Sequence, residues 1–203
     1  MVGSSWVADL TARLQGIEVL AVDWPGLWTR CDESVSFAKL VAEATALAGP
    51  DTVLVGHSLG GRIALQLACE RVPLAGVAAL CSPSQLSLNT GAAEASWREA
   101  GGRLTHRVAA NGMQCSYVLP VRFLDELNEW LRPAECPDIP ALLMFGGSDP
   151  KASALQWGPL LEGRLSVTVP GSQHNFMDNP THRADVVGKV TGFVGSLGGT
   201  MRA

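Results

Sequence analysis

The sequence predicts an α/β architecture, a mostly parallel sheet covered by helices on both faces, and three observations carry that expectation. Short apolar runs recur at residues 17–22, 52–55, 76–80, 141–145 and 165–169, each β-branched or Leu-rich and without in–out alternation. Strands buried on both faces read this way. Amphipathic stretches separate the runs, which is the strand–helix order of a parallel sheet. Apolar residues make up 47% of the 203 and charged residues 17%, so burial can offset the entropy of ordering and a disordered chain is excluded.

Each helix has its own signal. Trp6, Leu10 and Leu14 recur every four residues, and Gly16 ends that stretch. Residues 34–48 repeat the pattern with Val35, Leu40, Val41 and Leu47 apolar, and Gly49-Pro50 stops them. Residues 62–71 continue directly from the second apolar run. The stretch 182–197 keeps helical spacing at Val186, Val187, Val190 and Val194, weakened by Gly188, Gly192 and Gly195. One segment breaks the alternation: from 82 to 140 no strand is evident, only polar and Gly-rich stretches with two helical patches. The second patch, 121–131, places Phe123, Leu124, Leu127, Trp130 and Leu131 on one face. A connection of that length exceeds a simple crossover. The expected organisation is a core of residues 1–82 and 140–203, with residues 83–139 forming a helical lid over the carboxyl edge of the sheet. Two ordinary helices on the sheet face are the alternative. No internal repeat or low-complexity tract is present.

Charge and cysteine usage narrow the function classes. Fifteen basic and 19 acidic side chains give a net charge of -4, which disfavours a nucleic-acid partner, since phosphate neutralisation needs clustered Lys and Arg. Arg98, Arg103, His106 and Arg107 come nearest to such a cluster and are diluted by apolar residues and Gly. No apolar run approaches the roughly 20 residues of a membrane span, and Met1 to Leu10 lacks the basic residues of a secretory signal. The five cysteines (Cys31, Cys69, Cys81, Cys115, Cys136) are odd in number and nowhere spaced Cys-x-x-Cys. Cys69 and Cys81 read as small buried hydrophobes, with no disulfide and no metal expected. A cytoplasmic chain follows.

The chemistry concentrates at Val53-Leu54-Val55-Gly56-His57-Ser58-Leu59-Gly60-Gly61, followed at once by a helical pattern. A Gly-x-Ser-x-Gly between a strand and a helix is the nucleophile elbow. Its turn is so tight that Ser58 adopts a strained backbone and its neighbours must be nearly free of side chain, which Gly56, Gly60 and Gly61 supply. The Ser58 hydroxyl then projects above the sheet, with the positive end of the following helix aimed at a developing oxyanion. A serine hydroxyl near neutral pH needs a base within hydrogen-bond reach. His57 is adjacent in sequence, but consecutive side chains diverge at so sharp a turn, so it is expected to pack beneath the elbow. His106 lies in the lid segment and His182 opens the last helix. His174 instead follows the last strand through Pro170-Gly171-Ser172-Gln173, in a loop at a strand's carboxyl end, where open parallel sheets bind ligands. His174 is the candidate base.

The base needs a carboxylate to hold its tautomer and stabilise the imidazolium. Asp149, in Gly146-Gly147-Ser148-Asp149-Pro150, lies in another carboxyl-end loop. Asp51 precedes its strand, Asp23 beside Trp24-Pro25-Gly26 reads as a turn residue, and Asp178 sits on the wrong side of His174. The chain order Ser58, Asp149, His174 is that of α/β-hydrolases.

The chain resembles the α/β-hydrolase superfamily, nearest to its lid-bearing esterase, thioesterase and carbon–carbon hydrolase members. The resemblance rests on Val22-Asp23-Trp24-Pro25-Gly26, on the elbow, on Phe145-Gly146-Gly147-Ser148-Asp149-Pro150 and on Gly171-Ser172-Gln173-His174-Asn175-Phe176. It implies Ser58 as nucleophile, His174 as base, Asp149 as orienting acid and the Leu59 N–H as an oxyanion donor. It departs from the family at its start. Gly3-Ser4-Ser5-Trp6 resembles the end of the loop that carries the second oxyanion donor, without the strand and His-Gly before it, so either the chain as given lacks its beginning or the sheet is shortened, and that donor would fall near Met1 or Val2. The implied function is hydrolysis of an ester or thioester of a small-to-medium apolar acyl group, without cofactor or metal, the lid's Trp97, Met113, Phe123, Leu127 and Trp130 either lining an apolar pocket or anchoring the lid. Carbon–carbon bond hydrolysis by the same triad and a catalytically impaired binding protein of this fold are the alternatives. The expected partner is a small-molecule acyl substrate, and an unpaired sheet edge allows a homodimer.

Overall fold

A computed structural model describes residues 5–22, 36–83, 92–108, 114–130, 139–150, 152, 154–157, 164–176 and 179–198. In chain order the elements are α1 (Ser5–Arg13), α2 (Phe37–Leu47), β1 (Val53–His57), α3 (Leu59–Cys69), β2 (Gly76–Leu80), α4 (Ala92–Glu99), β3 (Gly102–Val108), β4 (Gln114–Pro120), α5 (Val121–Trp130), β5 (Ala141–Gly146), α6 (Ala154–Trp157), β6 (Leu165–Val169) and α7 (Pro180–Gly198). Four strands form a parallel sheet in the order β1-β2-β5-β6.

Both faces of the two central strands are covered, and alternate residues feed two separate cores. Val77, Ala79, Ala141, Leu143 and Phe145 pack with Phe37, Leu40 and Val41 of α2 and with Ile63, Leu65 and Leu67 of α3. Ala78, Leu80, Leu142 and Met144 pack with Leu10 and Leu14 near α1 and with Val186, Val187 and Val190 of α7. Every residue of β2 and β5 is buried. The outer strands differ from the expectation of double-sided burial. β1 is half-buried at four of its five positions, and β6 is exposed at three of five, with Leu165 54% accessible. An apolar run does not encode whether its strand lies at the centre or the edge of a sheet. Topology decides that.

Helix ends follow local chemistry. Ser36 caps α2, its hydroxyl oxygen accepting from the Lys39 N–H at 3.2 Å, while the Glu126 carboxylate accepts from the Ser36 hydroxyl at 2.7 Å and the Ala38 N–H at 3.1 Å. Asn179 caps α7 by accepting from the N–H groups of Thr181 and His182. The three glycines of α7 do not interrupt it, because Val186, Val187, Val190 and Val194 bury one continuous stripe.

Two expectations are corrected. Residues 17–22 form no strand, and Ile17, Leu20 and Val22 are 49%, 64% and 41% accessible. A strand needs a neighbour for its backbone groups, and among the described residues the ladder ends at β1, with β2 its one partner. The segment between β2 and β5 holds two helices, as expected, but also an antiparallel ribbon in which β3 and β4 pair from Gly102 opposite Pro120 to Val108 opposite Gln114. The signal was present: Asn111-Gly112, between these strands in sequence, is a strong hairpin dipeptide. This segment is fastened to the core. Trp97 and Phe123 are buried within it, Phe123 meets Phe37 edge-to-face at 5.9 Å, and the Trp97 indole N–H donates to the Leu119 carbonyl at 3.0 Å. Both aromatics therefore act as anchors, while Met113 and the side chains of Leu127 and Trp130 lie outside the described residues.

Candidate active site

Three loops at the carboxyl edge of the sheet converge on one point. Ser58, between β1 and α3, has φ 53° and ψ -117°, a strained combination for a residue with a side chain. The backbone fixes it from several sides: its N–H donates to the Leu80 carbonyl at 2.7 Å, and its carbonyl accepts from the Arg62 N–H at 3.1 Å and the Ser82 hydroxyl at 3.0 Å. Crowding explains two of the motif's glycines. A Cβ on Gly56 would collide with the backbone of Gly60 and Gly61, and one on Gly61 would strike the Ser82 hydroxyl and lie 2.6 Å from the Gly56 carbonyl oxygen. A Cβ on Gly60 would meet nothing within 4 Å among the described residues, so crowding there does not demand glycine.

Asp149 follows β5 through a turn closed by its own N–H to the Gly146 carbonyl at 3.1 Å. That turn is laced to the loop after β6 by Gly147 N–H to Val169 carbonyl at 2.9 Å and Ser148 N–H to Ser172 carbonyl at 2.8 Å. Buried Ser172 donates its hydroxyl to the Val169 carbonyl at 2.8 Å, which shapes the loop that carries His174. The two loops bring His174 Nδ1 to 2.8 Å from Asp149 Oδ2 and His174 Nε2 to 3.0 Å from Ser58 Oγ. The Asp149 side chain is inaccessible to solvent and that of His174 is 19% accessible. An ionised carboxylate only accepts, so Nδ1 carries the proton and Nε2 is left to accept from the Ser58 hydroxyl.

The remaining acidic and histidine residues lie elsewhere. Asp51 is exposed ahead of β1, at the opposite edge, and His182 sits half-buried in the first turn of α7. His106 belongs to β3, while Asp23 and Asp178 fall outside the described residues. His57 supports the base: its Nε2–H donates to the His174 carbonyl at 2.8 Å, and its ring lies 5.2 Å from that of His174 and 5.9 Å, edge-on, from buried Phe176. Leu59 occupies the first position of α3, where a helix leaves N–H groups without intrahelical acceptors. Met1 to Ser4 lie outside the described residues.

Sequence reasoning missed Cys81, Ser82 and Trp157. Ser82 grips the Ser58 carbonyl, and the buried Trp157 indole N–H holds the Ser82 carbonyl at 3.0 Å. Cys81 is buried, has φ 46°, and its sulfur lies within 4.8 Å of an Asp149 carboxylate oxygen. Burial above all pushes its thiol up to about 12, the neighbouring Asp149 carboxylate adds to that, and the Gly146 backbone opposes them. The available signal was position, because Cys81 and Ser82 directly follow β2 at the same carboxyl edge. Ligand atoms of Cys81, Asp149 and His174 lie within 4.8 Å of one another, close enough to suggest a metal. A metal would have to displace the Nδ1–H bond and ionise a thiol that its surroundings hold protonated, so the donor set fits a hydrogen-bond network better. A cavity lined by Ile139, Pro140, Arg164, Leu165, Phe193 and Leu197 opens beside the amino-terminal ends of β5 and β6, at the far edge from this chemistry. No described helix is long and apolar enough to cross a membrane.

The comparisons with known proteins agree with this architecture. A monoacylglycerol lipase from Paleococcus ferrophilus is similar in structure at a TM-score of 0.70 and 20% identity, covering 95% of this chain and 88% of that one. The esterase domain of a Rhodothermus marinus protein gives 0.59 at 22% identity, covering 95% and 81%. A thioesterase of the prodiginine biosynthetic pathway in Streptomyces coelicolor gives 0.58 at 20% identity, covering 94% and 85%. No curated protein sequence matches the chain. The sequence model of the alpha/beta hydrolase family matches residues 1–187, and the chain belongs to that family.

Proposed function

We propose that the chain is a serine hydrolase that cleaves an ester or thioester of a small-to-medium apolar acyl group through an acyl-enzyme. The observation that carries this reading is the continuous relay from Asp149 Oδ2 to His174 Nδ1 at 2.8 Å and from His174 Nε2 to Ser58 Oγ at 3.0 Å. Folding alone gives no reason to place a strained serine, a histidine and a buried carboxylate in line on three separate loops. Similarity to structures named monoacylglycerol lipase, esterase and thioesterase supports the ester or thioester class.

In this mechanism Ser58 Oγ attacks the acyl carbonyl while His174 Nε2 takes its proton. Asp149 holds the imidazolium so formed, which is worth more in its inaccessible setting than in water. The carbonyl oxygen becomes an oxyanion, and the Leu59 N–H at the positive end of α3 donates to it. The C–O or C–S bond breaks, His174 returns the proton to the leaving alcohol or thiol, and the acyl group remains on Ser58. Water then attacks with His174 again as base, releasing the acid and restoring the serine. The described elements inserted between β2 and β5, namely α4, β3, β4 and α5, are assigned as the lid in this reading. The odd count of five cysteines, with Cys69 and Cys81 outside any disulfide, supports a reducing, cytoplasmic setting.

The test is labelling with a fluorophosphonate, read by intact mass, for the wild type beside Ser58→Ala. One stoichiometric adduct on the wild type and none on the variant is expected. A folded wild type that takes no adduct would overturn the reading.

A further inference from the structure

We propose that Ser82, itself anchored by Trp157, is a positioning residue for the oxyanion site: its hydroxyl orients the Ser58–Leu59 peptide so that the Leu59 N–H faces the acyl oxygen. This role rests on the hydrolase reading above, in which Leu59 supplies the donor.

A peptide unit is rigid and planar, and the one between Ser58 and Leu59 is trans, so its C=O and N–H point in opposite directions. Whatever holds the Ser58 carbonyl therefore aims the Leu59 N–H. Two donors hold it: the Arg62 N–H at 3.1 Å, which closes the first turn of α3, and the Ser82 hydroxyl at 3.0 Å. The first draws the carbonyl into the helix and turns the Leu59 N–H out from its amino terminus. That bond alone leaves the peptide free to tilt about it. A second donor, arriving from the residues that follow β2, removes the freedom. The need is real at this position, because Ser58 sits at φ 53°, and a backbone so strained keeps its shape only where its surroundings impose it.

Ser82 is placed for this contact. It is buried, and its hydroxyl has a single proton to give. Of its two nearby acceptors the Ser58 carbonyl at 3.0 Å is the better, since the Leu80 carbonyl lies at 3.5 Å. Its backbone is fixed from the other side, where the buried Trp157 indole N–H donates to the Ser82 carbonyl at 3.0 Å. The contact also acts through the peptide's electrons. A donor on the carbonyl draws density from the amide nitrogen and strengthens its N–H as a donor, by about 10–30% per bond. Full loss of one oxyanion donor costs on the order of 10²–10³ in rate, and removing the Ser82 hydroxyl leaves the Leu59 N–H in place but less firmly aimed, so about 5- to 20-fold is expected.

The experiment compares two reagents on the wild type, Ser82→Ala and Trp157→Phe, with labelling rates read by intact mass: an alkyl fluorophosphonate and its thiono counterpart, which carries P=S in place of P=O. With either, Ser58 Oγ bonds to phosphorus, its proton passes to His174 and fluoride leaves. Only the oxygen accepts a strong hydrogen bond from Leu59, because sulfur is a weak acceptor. Ser82→Ala should react about 5- to 20-fold more slowly with the P=O reagent and less than about 2-fold more slowly with P=S. Displacing the Ser58 hydroxyl, or loosening the loop as a whole, would slow both alike. Trp157→Phe keeps an aromatic ring and removes the donor to the Ser82 carbonyl, so it does not depend on a Ser82 variant folding; its preference for P=O over P=S should fall by about 2- to 5-fold. Equal slowing of the two reagents in folded Ser82→Ala, no slowing there, or an unchanged preference in Trp157→Phe would each overturn the role. A wild type that takes neither reagent would end the hydrolase reading and this role with it, whereas a wild type that takes both, beside variants that keep its preference, would end the role of Ser82 alone.

Discussion

Gly60 and Gly61 are neighbours in one helix, yet alanine should do opposite things at them. Both open α3, where replacing Gly by Ala gains roughly 0.5–1 kcal/mol of helix propensity. At Gly60 the added methyl meets nothing within 4 Å among the described residues, so Gly60→Ala should be neutral or slightly stabilising. At Gly61 the methyl would strike the Ser82 hydroxyl, lie 2.6 Å from the Gly56 carbonyl oxygen and 3.2 Å from Ala79 Cα. Ordinary contact is about 3.5 Å, so β1 and α3 would have to separate by nearly an ångström, and neither obstacle at Gly56 or Ala79 is a side chain that can rotate away. Overpacking of this kind costs about 1–3 kcal/mol and more where backbone must yield. Gly61→Ala should therefore lose about 2–4 kcal/mol of stability. The same displacement falls on the turn that aims Ser58, and a shift of about 1 Å near reacting groups costs on the order of 10²-fold in rate. Denaturant unfolding and the fluorophosphonate labelling rate, run on both variants, decide the matter. If Gly61→Ala is as stable and as reactive as Gly60→Ala, the crowding argument for the elbow is wrong.

Three further outcomes follow from the contacts. Ser82→Ala removes one donor from the Ser58 carbonyl but leaves the Arg62 N–H on it, so the loss should stay near 0.5–1.5 kcal/mol; a denaturant series showing more than about 3 kcal/mol would mean that Ser82 carries more than this bond. Glu126→Ala takes away the acceptor of both the Ser36 hydroxyl and the Ala38 N–H, and about 1–2 kcal/mol should disappear from the thermal stability while labelling at Ser58 continues at the wild-type rate. The thiol of Cys81 sits near 9.0 unfolded and about 12 folded, so below pH 9 its protonation is the same in both states and its stabilising effect is fully present. As pH rises from about 9 to 12 the unfolded state loses the proton first, and stability should fall by up to about 1.4 kcal/mol per unit. In Cys81→Ala that part of the alkaline decline should vanish; parallel alkaline profiles for the two proteins would refute it.

What the sequence disclosed and what it withheld divide along a physical line. The elbow was legible because its cause is local: a strand, a tight turn crowded at Gly56 and Gly61, and a helix, all within 17 residues from Val53 to Cys69. The two long-range members of the site were legible for a different reason. His174 and Asp149 each follow an apolar strand in the chain, and a parallel sheet brings the carboxyl ends of its strands to one edge. Cys81 follows β2 to that same edge, but its neighbours in sequence, Leu80 and Ser82, give no hint of a carboxylate beside it. Burial and an apolar run made it look like filler. Its φ of 46° and the approach of Asp149 from another loop are not written in a local pattern.

The strand expected at 17–22 fails for a related reason, and it bears on how such an edge should be read. Period and composition report what a segment can bury, whereas a strand also needs a partner for its backbone. The exposed Ile17, Leu20 and Val22 have the residues of a strand without the ladder, and β1 is only half-buried where a neighbour would cover it. The relay of Ser58, His174 and Asp149 does not depend on that neighbour. Ser58 is anchored to Leu80 of β2, and the loops that carry Asp149 and His174 are laced to each other by Gly147 to Val169 and Ser148 to Ser172. The backbone at Ser58 is therefore set from β2 and the base from the paired loops after β5 and β6, all on the side of β1 away from its open edge.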